Sequence, residues 1–153
     1  MRNKKHLLIK QLDLSLVPFH GLEKVLVPEK GWISTIRSGL NMTMEQLGKR
    51  LNLSKGAIQK IEQREVTGQI TFNKMKQIGM GLNLHFVYGF VPKDGTLEKF
   101  VEVKANELAK EIASRTHQTM KLENQEINPK KISQSIVELT KELKLEMKKS
   151  LWQ

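Results

Sequence analysis

The chain has 153 residues, with 26 Lys/Arg against 16 Asp/Glu, a formal net charge of +10, 39% hydrophobic and 27% charged residues. This balance excludes a disordered tail, and no apolar run approaches the roughly 20 residues a bilayer requires. The lack of cysteine excludes a disulfide scaffold, thiol catalysis and a cysteine-based zinc site, and His6, His20, His85 and His117 show no metal-ligand spacing.

The basic residues before Leu7 resemble the start of a signal peptide, but the following apolar run is broken by Lys10, Gln11 and Asp13. With no small-residue cleavage site after it, the reading is a cytoplasmic protein. From about Lys4 to Val17 the four-residue spacing of Leu8, Leu12 and Leu16 predicts a short helix, which Pro18 ends. A loop through Gly21 and Pro28 follows. Trp32, Ile33, Ile36 and Leu40 then mark one helical face, with Trp32 read as core. Thr43-x-x-Gln46 is a capping box opening a helix that buries Met44, Leu47 and Leu51. Asn52-Leu53-Ser54 is a turn, and Ser54 caps a further helix carrying Ala57, Ile58 and Ile61. Thr71 caps another with Met75, Ile78 and Leu82, ended around Gly81 and Asn83.

Leu84 to Val91 is the one predicted strand, with aromatics at Phe86, Tyr88 and Phe90 alternating with Val87, Gly89 and Val91. A lone strand needs a backbone partner, from a second copy or another protein. Its aromatics suit a core or interface; stacking on single-stranded bases is the alternative. Leu97, Val101, Leu108 and Ile112 predict a helix from Thr96 to about Arg115, and a polar stretch leads to Pro129. The last helix carries Ile132, Ile136, Leu139, Leu143 and Met147 on one face. It packs on this chain, a dimer mate or a partner. The division expected is an N-terminal helix and loop at 1–28, a DNA-binding bundle at 29–83, and a strand plus helical partner-binding region at 84–153.

The charge is uneven: residues 1–83 hold fourteen Lys/Arg and six Asp/Glu, residues 84–153 twelve and ten. A basic first half suits a polyanion, although a lysine-rich surface also serves solubility. Two short capped helices joined by a three-residue turn make a minimal helix-turn-helix, whose second helix enters the major groove. Gly48 allows that helix to approach closely. Lys55, Gly56, Gln59, Lys60 and Gln63 form the solvent face of the second helix, where Gln pairs with adenine and Lys donates to guanine. Thr43, Gln46 and Ser54 lie at the helix starts, and Lys49, Arg50 and Arg64 are placed for phosphates.

Ile36-Arg37, Met42-Thr43-Met44-Glu45-Gln46-Leu47-Gly48, Leu51-Asn52-Leu53-Ser54, Ile58-Gln59-Lys60-Ile61-Glu62 and Leu82-Asn83-Leu84 resemble the Cro/cI-like (XRE) helix-turn-helix family. That resemblance implies a mainly α fold: a Cro/cI-like helix-turn-helix bundle, here with one short strand and a C-terminal helical extension. It also implies a dimer on palindromic double-stranded operators. A helix-turn-helix kept only for protein docking is the alternative.

A longer match uses Gly31-Trp32-Ile33-x-x-Ile36-Arg37, Glu62-x-x-Glu65-x-x-Gly68-x-Ile70-Thr71, Phe86-Val-Tyr-Gly-Phe-Val-Pro92 and the segment from Ala113 to Gln125. These resemble the mobile mystery protein A family over about residues 5 to 126. The resemblance implies a partner with a Fic domain, a fold that commonly transfers AMP from ATP to a hydroxyl, and an antitoxin role for this chain. Inhibitory helices of Fic proteins carry Ser/Thr-x-x-x-Glu-Gly/Asn, and Thr119-Met-Lys-Leu-Glu123-Asn124 fits. By that resemblance Glu123 pairs with the second arginine of the partner's catalytic loop, which otherwise holds the ATP γ-phosphate. A carboxylate offers an arginine bidentate acceptors, and the spacing puts Thr119 and Glu123 on one helical face. The bland alternative is a solvated polar segment.

No catalytic grouping, cofactor loop or metal cluster is expected, so the chain does not read as an enzyme. Two functions remain open. One is an antitoxin that inhibits a Fic-domain AMP-transferase and represses its own operon, as a homodimer or hetero-oligomer with its partner. The other is a transcriptional regulator whose C-terminal half serves dimerisation only.

Overall fold

The computed structural model describes residues 2–124 and 128–153; Met1 and residues 125–127 lie outside the described residues. Among the described residues there are seven α-helices and no strand. They are α1 (Arg2–Leu16), α2 (Gly31–Gly39), α3 (Met44–Leu51), α4 (Lys55–Thr67), α5 (Phe72–Gly81), α6 (Leu97–Leu122) and α7 (Pro129–Glu146). The chain divides into two compact units, one built from residues 1–20 and 90–153, the other from residues 21–89. The N-terminal helix thus joins the C-terminal helices instead of standing apart with the loop up to residue 28. Among the described residues no helix is long and apolar enough to cross a membrane.

The unit of residues 21–89 closes around Ile33, Leu47, Ile58, Ile61, Ile78 and Leu82, with Ile36, Met44, Leu51, Leu53, Ile70 and Met75 packed against them. Those positions follow the 3.6-residue period of α2 to α5, so apolar burial holds the unit much as the pattern implies. Three helices start on a side-chain cap: Thr43 accepts from Gln46 N, Ser54 from Ala57 N and Thr71 from Lys74 N. Two expected core residues fall outside this core. Leu40 lies beyond the end of α2 and is exposed, and Trp32 is 38% exposed, at the rim of a groove with Ile36, Met75, Leu82 and Phe86. Trp32 is the second residue of α2, and its neighbour Ile33 takes the core position.

The expected strand is absent. Residues 84–91 form no regular element, and no ladder partner exists for them among the described residues. Leu84 N instead donates to Gly79 O at 2.8 Å, closing α5. The alternation has another cause: Phe86 and Tyr88 fold onto Phe72 at the start of α5, with centroids 5.9 and 4.7 Å away. Val87, between them, points outward. Alternate aromatics serve such a contact as well as they serve a paired strand, so the pattern alone did not distinguish the two.

In the other unit α6 and α7 pack along their length. Val101, Ala105, Ala109, Leu143 and Leu151 are buried, with Leu108, Ile136, Leu139 and Met147 beside them. Ala105 and Ala109, one turn apart and fully buried, let α7 come close. The last helix therefore packs on its own chain. The first turn of α6 is capped twice. Thr96 accepts from Lys99 N, while Asp13 of α1 accepts from Leu97 N at 2.6 Å and Glu98 N at 3.1 Å. Leu8 and Leu12 of α1 remain exposed. Lys144 of α7 reaches Glu98 and Glu102 of α6, both at 3.3 Å. Hydrogen bonds from Lys144, and then from Lys99, lower the pKa of Glu102. Such a cluster, still open to solvent on one side, adds little to stability.

Candidate nucleic-acid interface

The geometry starts at Gly48. A Cβ there would overlap the carbonyl oxygen of Leu53, so the close approach of the α3 backbone to the turn requires glycine. Leu53 N also donates to Gly48 O at 2.8 Å. Asn52 ends α3 in the left-handed region at φ 55°, which asparagine tolerates better than most residues. Ser54 then begins α4. Thr43 and Gln46 satisfy one another: Thr43 N donates to Gln46 Oε1 at 2.8 Å and Gln46 N donates to Thr43 Oγ1 at 3.1 Å. Both groups sit at the exposed start of α3.

Helix α4 separates its charges by side. Lys55, Gly56, Gln59, Lys60, Gln63 and Arg64 are exposed. Its two carboxylates turn inward to α2. Glu62 is 6% exposed and takes Arg37 Nε at 2.6 Å and Nη2 at 3.3 Å, while Arg37 Nη1 donates to Met42 O at 2.8 Å. Glu65 receives Trp32 N at 2.7 Å and Ile33 N at 3.0 Å, so it caps α2 from another helix. Gly31, at φ 80°, makes room: a Cβ there would lie 2.6 Å from Glu65 Oε2. The outer face of α4 is left with two lysines, an arginine and two amides, and no acid.

Those acidic contacts were missed in the sequence. The available signal was that α2 opens Lys30-Gly31-Trp32, without a Ser, Thr, Asp or Asn to cap it, so a cap had to come from elsewhere. A second correction concerns Arg50. Its Nε donates to Gly81 O at 2.7 Å, so the side chain closes the end of α5 instead of being directed wholly toward phosphates. Lys49 and Arg64 are exposed as expected.

The candidate inhibitory residues lie in the other unit. Helix α6 continues past Arg115 to Leu122, so Thr119 is in its last turn, with Oγ1 donating to Arg115 O at 3.1 Å. Glu123 is the C-cap, its N–H donating to Thr119 O at 3.2 Å. Asn124 follows in the left-handed region at φ 53°. Thr119, Glu123 and Asn124 are all exposed. A groove of about 400 Å³ runs beside this end of α6, lined by Ile112, Thr116, Met120, Ile132 and Leu139 among others. Gln125, which ended the longer sequence match, lies outside the described residues. Among the described residues no cluster of three metal-ligating side chains occurs. No family model, curated protein or solved structure matches the chain.

Proposed function

We propose that this chain binds duplex DNA through the outer face of α4, with α3 and α4 acting as a helix-turn-helix. The observation that carries the reading is the charge separation on α4: carboxylates turned onto α2, cations and amides turned out. A helix presented to a polyanionic groove needs its outer face free of acids, because each phosphate contact is electrostatic. Gln59 and Lys60 are the base-reading residues in this reading. Lys55 and Arg64 contact phosphates, as does Lys49 on α3; the exposed starts of the two helices, at Thr43 with Gln46 and at Ser54, face the backbone.

The two roles separate by measurement. Gln59→Ala should cost about 1–3 kcal/mol on the preferred duplex and little on unrelated ones. A phosphate contact behaves differently: Lys55→Ala should weaken all duplexes alike and reduce the logarithmic salt slope by about 1. Fluorescence anisotropy with labelled duplexes distinguishes them. Unchanged affinity in both variants would show that another face meets the DNA.

A second activity, inhibition of a Fic-domain AMP-transferase through Thr119-x-x-x-Glu123-Asn124, is supported by a separate observation. The motif's last position admits Gly or Asn, the residues that most readily take a left-handed conformation after a helix end, and Asn124 is in that conformation. A helix end with an exposed glutamate at its cap supports that reading. Glu123→Gly is expected to release AMP labelling by a co-purified Fic partner while duplex binding stays unchanged. Equal inhibition by variant and wild type would rule out the glutamate mechanism and leave a DNA-binding regulator.

A further inference from the structure

Gly56 has no reason in the fold to be glycine. It is the second residue of α4, its φ is not in the left-handed region, and a Cβ built on it meets nothing within 4 Å. The other helical glycines of this unit differ. Gly48 is pressed against the turn, a Cβ at Gly79 would lie 2.8 Å from Leu84 O, and one at Gly81 would lie 2.8 Å from Leu51 Cγ. Gly39 also has open space, but it is the last residue of α2 and not on the outer face of α4. Glycine within a helix is less favourable than alanine, since it loses more backbone freedom on folding. The sequence therefore tolerates a cost at Gly56 that its own structure does not require.

Gly56 stands between Lys55 and the Gln59–Lys60 pair on the acid-free face of α4. A bare backbone amid long polar side chains is a place where a ligand surface can come within van der Waals reach of the helix. We infer that Gly56 is the point of closest approach of α4 to the duplex, a steric positioning residue that sets how deeply the helix enters the major groove. A methyl group there lifts the helix away from the groove floor. The contacts of Gln59 and Lys60, which depend on hydrogen-bond distance, then lengthen together. This inference rests on the DNA-binding reading above and adds to it a depth of insertion fixed by a missing side chain.

The test uses the full chain and a short duplex that it recovers from a randomised library, with Gly56→Ala and Gly56→Leu as variants. Thermal unfolding is measured beside anisotropy. The expected result is a loss of affinity without a loss of stability. The melting temperature is unchanged or slightly raised in both variants, since an open glycine in the first turn carries only part of the interior cost. Affinity falls roughly tenfold for alanine and about a hundredfold for leucine, the scale of a steric misfit or of one or two lost base contacts. Unchanged or raised melting with unchanged affinity would overturn the inference while leaving DNA binding by α4 in place. A lowered melting temperature would show that the fold itself needs the glycine, which also overturns it. No salt-sensitive binding of any duplex by the wild type would overturn this inference and the reading beneath it.

Discussion

Glu62→Ala is expected to destabilise the unit of residues 21–89 by about 3–5 kcal/mol, the scale for removing one partner of a buried ion pair. The guanidinium of Arg37 would keep its bond to Met42 O but lose both contacts to the carboxylate. Its side chain is 11% exposed, so water cannot replace them without opening the packing of α2 on α4. The loss comes from the stranded charge, not from the pair's net worth. Two companions separate these: Glu62→Gln, which retains an acceptor, should lose less, and the double variant Arg37→Met with Glu62→Leu should recover most of the stability. Urea denaturation followed by tryptophan fluorescence reads all three. A single variant as stable as wild type would mean that the Arg37–Glu62 pair does not hold α2 on α4.

Gly48→Val is expected to cost about 3 kcal/mol, and Gly48→Ala somewhat less, the range for overpacking a tight contact. The obstacle is a backbone carbonyl, that of Leu53, fixed by the turn and by Leu53 N donating to Gly48 O. It cannot rotate aside as a side chain would. The chain must move α4 away from α3 or break the turn, so duplex affinity should fall even in the folded fraction. Denaturation midpoints and anisotropy at matched folded fraction check the two effects. The contrast with Gly56 is informative: the same added methyl costs stability at one position and is expected to cost none at the other, because only the first glycine is in contact with its own fold.

The bundle was legible where local chemistry decides structure. The caps at Thr43, Ser54 and Thr71 and the spacing of Leu47, Ile58, Ile61 and Ile78 each specify a helix start or a buried face without help from distant residues. What escaped depended on partners far along the chain. Asp13 caps α6 across 84 residues, and Glu65 caps α2 across 33; a carboxylate in a sequence does not declare which helix it will reach. The same limit applies to the strand. Phe86 and Tyr88 alternate because both meet Phe72, a contact that produces a strand's period without a strand's hydrogen bonds. On the candidate interface, Lys55, Gln59, Lys60 and Gln63 were identified by helical position alone. The inward turn of Glu62 and Glu65 was not, although it is what leaves that face free of acid.

The helix end at Glu123 escaped for a local reason. The expected helix stopped at about Arg115, with a polar stretch after it, yet α6 runs to Leu122. Threonine is a weak helix former, but a helix already about five turns long at Arg115 is extended at the expense of one residue at a time. Thr116 and Thr119 each donate their hydroxyl to the carbonyl four residues back, so their polarity is accommodated within the helix.

The most direct test of the central claim is amide chemical-shift mapping of the labelled full chain, titrated with a duplex it recovers from a randomised library. The account predicts the largest perturbations from Ser54 to Arg64 and at the start of α3 around Thr43, reversed by added salt. Perturbations confined to other helices, with α4 unmoved, would contradict it.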